Sequence, residues 1–316
     1  MGARLGMRLA IAFVCASAGQ GQVSLPTRPH AAASSGAHLR IDPTLVLVPV
    51  TVSDHKDRLI TGLERDRFRI FDNQVEQAIT QFAQDDAPLA VGLVFDGSRS
   101  MGKKLPRAGL AAKAFLEEAN PDDEFFLVTF NDRPSLAVPF TTSAEEIQSR
   151  LALARPKGST ALLDAVVLAM NQLKKSTKPR KALLIVSDGG DNSSRYTEAE
   201  VRSLVRESDV LIYGIGIYEA GGARGRTPEE WLGPTLLAEI AEETGGRELA
   251  VDNLKELPDT AAKIGRELRN RYVLGFTPAN LPRDGRYHRL QVKLVQPRGM
   301  PKLEAHWRLG YYAPSE

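Results

Sequence analysis

Four nearly unbroken apolar runs divide the middle of the chain: 89–95 (LAVGLVF), 125–130 (FFLVTF), 182–187 (ALLIVS) and 210–217 (VLIYGIGI). Successive side chains of a strand point to opposite faces, so a run apolar at every position predicts a strand covered on both sides, as in a parallel sheet. Stretches with helical spacing of apolar residues occupy 106–119, 144–153, 161–174, 198–207, 235–244 and 254–271. Strand alternating with helix predicts right-handed βαβ units, and so an α/β fold with a doubly wound, mostly parallel sheet.

The period changes to two on either side. Segments 45–52 (LVLVPVTV), 67–71 and 78–82 before this region read as strands, as do 272–277, 289–296 and 303–312 after it. The alternation is cleanest in Leu290, Val292, Leu294 and again in Leu303, Ala305, Trp307, Leu309, Tyr311. Pro282-Arg283-Asp284-Gly285 and Pro297-Arg298-Gly299 supply turn chemistry between the later segments. Neither flank holds enough strands for a stable sheet. The two are therefore expected to pair into a small β-rich subdomain in which the α/β domain is inserted.

The N-terminus reads as a targeting segment. Arg4 and Arg8 precede the apolar stretch 9–14, and Ala16-Ser17-Ala18 completes the order of a signal peptide cleaved after Ala18. The alternatives are a lipid anchor at Cys15, which Phe13-Val14 suit poorly, and a non-cleaved anchor or misplaced start. Residues 19–40, rich in Gly, Ser, Ala, Gln and Pro, read as a flexible leader. The expected organisation is thus 1–18 signal peptide, 19–40 leader, 41–87 N-terminal β segment, 88–271 α/β domain and 272–316 C-terminal β segment, with export to the periplasm or beyond the cell.

Composition narrows the chemistry. Cleavage removes two of the 41 basic residues and none of the 39 acidic ones, and also the single cysteine, so disulfide scaffolds and thiolate zinc sites are excluded. The balanced charge shows no basic stripe and no case for a nucleic-acid partner. No run reaches the ~18 apolar residues of a membrane span. The residues give no reading of oligomeric state.

The first parallel strand ends in Asp96-Gly97-Ser98-Arg99-Ser100, where hard oxygen donors recur at i, i+2 and i+4. A loop turning from strand to helix can aim such side chains at one point, and Mg²⁺ takes oxygen donors octahedrally at about 2.0–2.1 Å. Thr160, in GSTALLDA, and Asp188, in VSDG, fall on the same sheet edge. In an open α/β sheet, the crevice outside the carboxyl ends of the strands is where ligands bind. Alone, DxSxS is also ordinary turn and cap chemistry, and Thr160 is also a plausible helix cap.

Taken together, DxSxS, the Thr of GSTALLDA and the Asp of VSDG resemble the von Willebrand factor type A domain and its metal-ion-dependent adhesion site. The resemblance covers about 88–271. The flanks, with Thr61-Gly62-Leu63, RYVLGFTP and LGYYAP, are similar to a bacterial group of secreted von Willebrand factor A-related proteins. It implies a Rossmann-like domain holding Mg²⁺ (or Mn²⁺). Ser98 and Ser100 would bind the metal directly, Thr160 directly or through water, and Asp96 and Asp188 mainly through water or by holding ligating groups. The sixth position is then left for an Asp or Glu carboxylate of a protein partner. With few direct carboxylates the ion stays electrophilic. Position 99 is Arg where the family most often has Gly, so a guanidinium either repels the cation or pairs with an acidic partner.

Other signals are weaker. Asp164 reads as structural, Asp191 and Asn192 as site rim or solvated loop, and 219–230 (EAGGARGRTPEE) as an ordinary surface loop rather than a specificity loop. His30, His38, His55, His288 and His306 lie in the leader or the flanks, so Ser–His catalysis lacks a base. Ser100 lacks the G-x-S-x-G elbow, and Gly214-x-Gly216 lacks the third glycine of a dinucleotide loop. The expectation is a secreted, non-enzymatic, metal-dependent binding module. The alternatives are a structural cell-envelope module with a vestigial site and, less favoured, a metal-dependent hydrolase.

Overall fold

Val48, Val50 and Val52 of the first strand are fully buried, and what covers them comes from both ends of the chain. The computed structural model describes residues 45–188, 190–218, 228–278, 284–296, 299 and 301–315. The expected signal peptide and leader lie outside the described residues.

The N-terminal flank forms β1 (Val46–Asp54), β2 (Phe68–Asp72), β3 (Val75–Gln77) and β4 (Gln81–Asp85). The middle runs β5 (Leu89–Asp96), α1 (Leu105–Glu117), β6 (Glu124–Phe130), β7 (Pro134–Thr141), α2 (Ala144–Ala152), α3 (Leu162–Leu173), β8 (Arg180–Ser187), α4 (Glu198–Arg206), β9 (Val210–Ile217), α5 (Pro228–Glu243), β10 (Glu248–Val251) and α6 (Leu257–Arg269). The C-terminal flank adds β11 (Arg271–Phe276), β12 (Tyr287–Leu294), β13 (Leu303–Trp307) and β14 (Gly310–Tyr312).

The central sheet has the order β10-β9-β8-β5-β6-β7, parallel except for β7, which pairs antiparallel to β6 at the edge. Its central strand serves two cores, as an every-position apolar run requires. Leu89, Val91, Leu93 and Phe95 face the layer of α1, α2 and α6, and Ala90 and Val94 face that of α3, α4 and α5. Gly92 makes room for a ring: a Cβ there would lie 2.3 Å from Phe126 Cζ. Local signals fix the helix starts. Ser143 Oγ accepts the Glu146 N–H ahead of α2, and Thr197 and Glu200 form a complete capping box ahead of α4.

The flanks pair with each other. One antiparallel sheet has the order β13-β1-β11-β4 and the other β14-β12-β2-β3, so each contains strands from both ends of the chain. They share a core of Val48, Val50, Val52, Phe68, Ile70, Tyr272, Leu274, Phe276, Leu290 and Val292. Tyr272 stacks on Phe82 and packs at a tilt against Phe68, and its hydroxyl accepts the Leu63 N–H at 2.9 Å and donates to Ile60 O.

The structure differs from the sequence reading at four places. The stretch 303–312 is two strands in different sheets. Gly245 lies against Trp307 and Arg308, Arg308 Nε turns back to Gly310 O, and Gly310 leaves no Cβ to strike His288 O, so the chain crosses the sandwich there. The strand expected at 78–82 begins later, at Gln81, after the short hairpin strand β3. The edge strands β7 and β10 were not expected. Helix α5 begins at Pro228, inside the stretch read as a loop, while 219–227 lie outside the described residues.

A partly buried ion cluster ties sandwich to α/β domain. Arg247 meets Glu267 through Nε at 3.3 Å and through Nη2, and donates from Nη1 to Asp57 Oδ1 at 2.7 Å; Lys263 Nζ lies 3.3 Å from Asp57 Oδ2. Burial works against the Arg247 charge, but the two carboxylates more than offset it. No helix among the described residues is long and apolar enough to cross a membrane.

Candidate metal centre

Three loops converge: those at the carboxyl ends of β5 and β8 and the one that joins α2 to α3. The first follows Asp96 and enters a 3-10 turn, Arg99–Met101, whose Met101 is fully buried. Its backbone is fixed to the end of β6, where Gly97 N–H donates to Phe130 O, and to the second loop, where Lys157 N–H donates to Gly97 O and Arg99 N–H to Gly158 O. The second loop is shaped by Asp132, whose Oδ1 accepts the Ser159 N–H at 2.8 Å. Gly158 beside it has φ +77°, and a Cβ there would lie 2.4 Å from Asp132 Oδ2, so position 158 requires glycine on both counts. The third loop clasps Thr160: Asn192 Oδ1 accepts the Thr160 N–H at 2.9 Å, and Asn192 N–H donates to Thr160 O.

Asp96 is fully buried. Its Oδ1 accepts the Ser98 N–H at 2.8 Å, and its Oδ2 accepts the Ser187 hydroxyl at 2.6 Å. Burial, reinforced by the Asp188 charge, pushes the Asp96 carboxyl up to about 6 against these hydrogen bonds. From there a chain of oxygens runs outward. Ser98 Oγ and Ser100 Oγ lie 3.0 Å apart, and Ser100 Oγ donates to Asp188 Oδ1 at 3.1 Å. Lys104 Nζ caps the chain at Asp188 Oδ2, 2.6 Å away.

The structure thus links Asp96, Ser98, Ser100 and Asp188 directly, and holds Thr160 on the adjoining loop through Asn192 and through the Arg99–Gly158 bond. The donor set suits a hard divalent ion. Oxygens bound cis at about 2.0–2.1 Å lie about 3 Å apart, the spacing found along Ser98, Ser100 and Asp188. The set is rich in hydroxyls and contains two carboxylates. Among the described residues no group of three or more His, Cys, Asp or Glu is placed to hold a metal.

Neighbouring residues have defined work. Asp164 Oδ1 accepts the N–H groups of Arg195 and Tyr196, and its Oδ2 accepts Arg195 Nε at 3.1 Å. Burial raises this carboxyl, but these donors outweigh it and hold it below its usual range. Asp191 Oδ1 takes the N–H groups of Ser193 and Ser194, so it shapes its own turn. Exposed Arg99, with Lys157, adds to the Ser159 N–H in holding the Asp132 carboxyl below its usual range. His288 pairs with Asp72 in the sandwich, and His306 lies on β13; His30 and His38 lie outside the described residues.

Sequence reading missed Ser187, Lys104 and Asp132. Ser187 carried a signal, as the one polar residue closing an apolar run; Lys104 and Asp132 look like solvated charges.

Residues 91–190 match the family model of the von Willebrand factor type A domain. A protein of Borreliella burgdorferi described as uncharacterised is 26% identical over 175 residues, 49% of this chain and 51% of that protein. The chain therefore spans about half the length of the curated relative it matches. Among solved structures, proximal thread matrix protein 1 of the mussel byssus is similar at a TM-score of 0.50, with 17% identity, covering 62% of this chain and 50% of that one. The von Willebrand factor domain of the type V pili tip protein Mfa5 of Porphyromonas gingivalis gives a TM-score of 0.48 at 13% identity, covering 58% of this chain and 96% of that one.

Proposed function

We propose that the von Willebrand factor type A domain within this chain is a non-enzymatic, metal-dependent protein-binding module of an exported protein. Mg²⁺ or Mn²⁺ would be held by Ser98, Ser100 and Thr160, with Asp96 and Asp188 supporting them. The observation that carries the reading is the oxygen chain Ser98–Ser100–Asp188 at 3.0 and 3.1 Å, beside a buried Asp96. When bound, the ion supplies a Lewis-acidic centre for an Asp or Glu carboxylate of the partner. The chain's own residues do the rest. Ser187 and the Ser98 N–H fix the Asp96 carboxylate, and the Gly97, Arg99 and Lys157 backbone bonds hold the first two loops in register before a partner arrives. Such preorganisation lowers the ordering cost of binding.

Thermal melting of the full chain in EDTA, Mg²⁺, Mn²⁺ and Ca²⁺, beside a Ser98→Ala, Ser100→Ala double variant, tests the reading. A ligand at 100 times its Kd stabilises by about 2.7 kcal/mol, so a rise with Mg²⁺ or Mn²⁺ that the double variant loses is expected. Superimposable curves in EDTA and metal would refute it. A second reading, a structural module with a vestigial site, is favoured by the Lys104 ammonium already paired with Asp188.

A further inference from the structure

We infer that Lys104 is a built-in counter-cation of the metal centre, which weakens divalent-ion binding by holding Asp188 in an internal ion pair. The inference rests on the metal-binding reading above and asks how tightly this chain loads.

Three observations support it. The pair is close and sheltered: Lys104 Nζ to Asp188 Oδ2 is 2.6 Å, with side-chain exposures of 13% and 6%, so it is screened less than a surface pair. It is also placed by rigid backbone. The Lys104 N–H donates to Met101 O at the end of the 3-10 turn, and Lys104 O accepts the N–H groups of Arg107 and Ala108 as α1 begins, so the lysine is anchored within the first loop itself. Finally, Asp188 has no idle oxygen, because Oδ1 accepts Ser100 Oγ while Oδ2 takes the ammonium.

Charge arithmetic gives the direction. The centre holds two carboxylates, Asp96 and Asp188, and one of them is already neutralised. An arriving divalent ion meets one uncompensated negative charge instead of two, with a like charge fixed beside it. It must displace Lys104 or bind next to it, and either route costs affinity. If the ammonium stays, the loaded centre keeps an extra positive charge facing the partner's carboxylate.

Isothermal titration of the full chain with MgCl₂ and with MnCl₂ decides the matter, using wild type, Lys104→Met and Lys104→Arg, with Lys104→Gln as a second neutral variant should the first not fold. Circular dichroism in EDTA verifies folding. The expected result is an ion Kd about three- to tenfold lower in the neutral variant, with Lys104→Arg close to wild type. Binding by the neutral variant alone would also support the inference. Equal or weaker binding by the neutral variant, beside a wild type that binds, would overturn it and leave the metal-binding reading standing. Silence from every variant would overturn both.

Discussion

Ser187 Oγ donates to Asp96 Oδ2 at 2.6 Å, joining the last residue of β8 to the last residue of β5 beneath the candidate metal centre. The bond is buried at both ends, and it stabilises a carboxylate whose charge burial disfavours. Ser187→Ala leaves Asp96 Oδ2 without that donor. A loss of about 1–3 kcal/mol in EDTA is expected from urea unfolding, with the Asp96 carboxyl pushed higher still. An unchanged unfolding midpoint would show that the hydroxyl is not stabilising the carboxylate.

Asp164 organises the third loop from below. Removing it by Asp164→Ala frees the Arg195 and Tyr196 N–H groups and leaves the α/β core in place. Amide exchange at those two residues should accelerate while exchange in β5 and β8 stays slow. Uniform acceleration would mean that Asp164 supports the whole domain.

The Arg247 cluster makes a sharper demand. Arg247→Ala strands fully buried Glu267, and breaking such a pair costs about 3–5 kcal/mol. Replacing both partners, Arg247→Met with Glu267→Leu, should recover most of this loss, since Asp57 keeps Lys263. A double variant whose loss equals the sum of the two single losses would mean that the two residues act independently.

Asp54 sets a pH dependence. Its carboxyl is held at about 2 against 3.8, chiefly by the Arg58 N–H and, against the opposing effect of burial, by the Arg58 guanidinium and the Lys56 N–H. The folded value lies below the unfolded one. The stabilisation is therefore complete above the unfolded value and disappears as pH falls from 3.8 toward about 2. Asp54→Asn should lower the urea midpoint at about pH 6 and approach wild type at about pH 2. A gap that persists in acid would exclude this carboxylate as its source.

Much of this was legible in the residues. Strands buried on both faces write themselves as unbroken apolar runs, so β5, β6, β8 and β9 could be read directly; the loops bearing Asp96, Ser98, Ser100 and Asp188 followed from where those runs end, and Thr160 from the start of a helical stretch. The edges were not legible. Strand β7 begins with Pro134 and carries Pro139, and β10 is only four residues long, so neither has the length or pattern of a buried strand. The break at Arg308–Leu309 is hidden because period-two alternation continues through it, while the cause, close approach to Gly245, comes from a segment far away in sequence. Lys104 escaped for a similar reason: a lysine beside another at a helix start looks solvated until the fold brings Asp188 to it.

The sandwich has a consequence in time. Leu63 is hydrogen-bonded to Tyr272, 209 residues downstream, and β1 lies between β11 and β13. As the chain emerges, Val48, Val50 and Val52 lack the strands that flank β1 until β11 and β13 have been made, whereas the inserted domain already holds nearly all of its own strands and helices. Strand β1, ahead of the inserted domain in sequence, is thus secured after it. A premature stop after α6 does not merely trim an end; it takes away both neighbours of β1 and one of the two neighbours of β2.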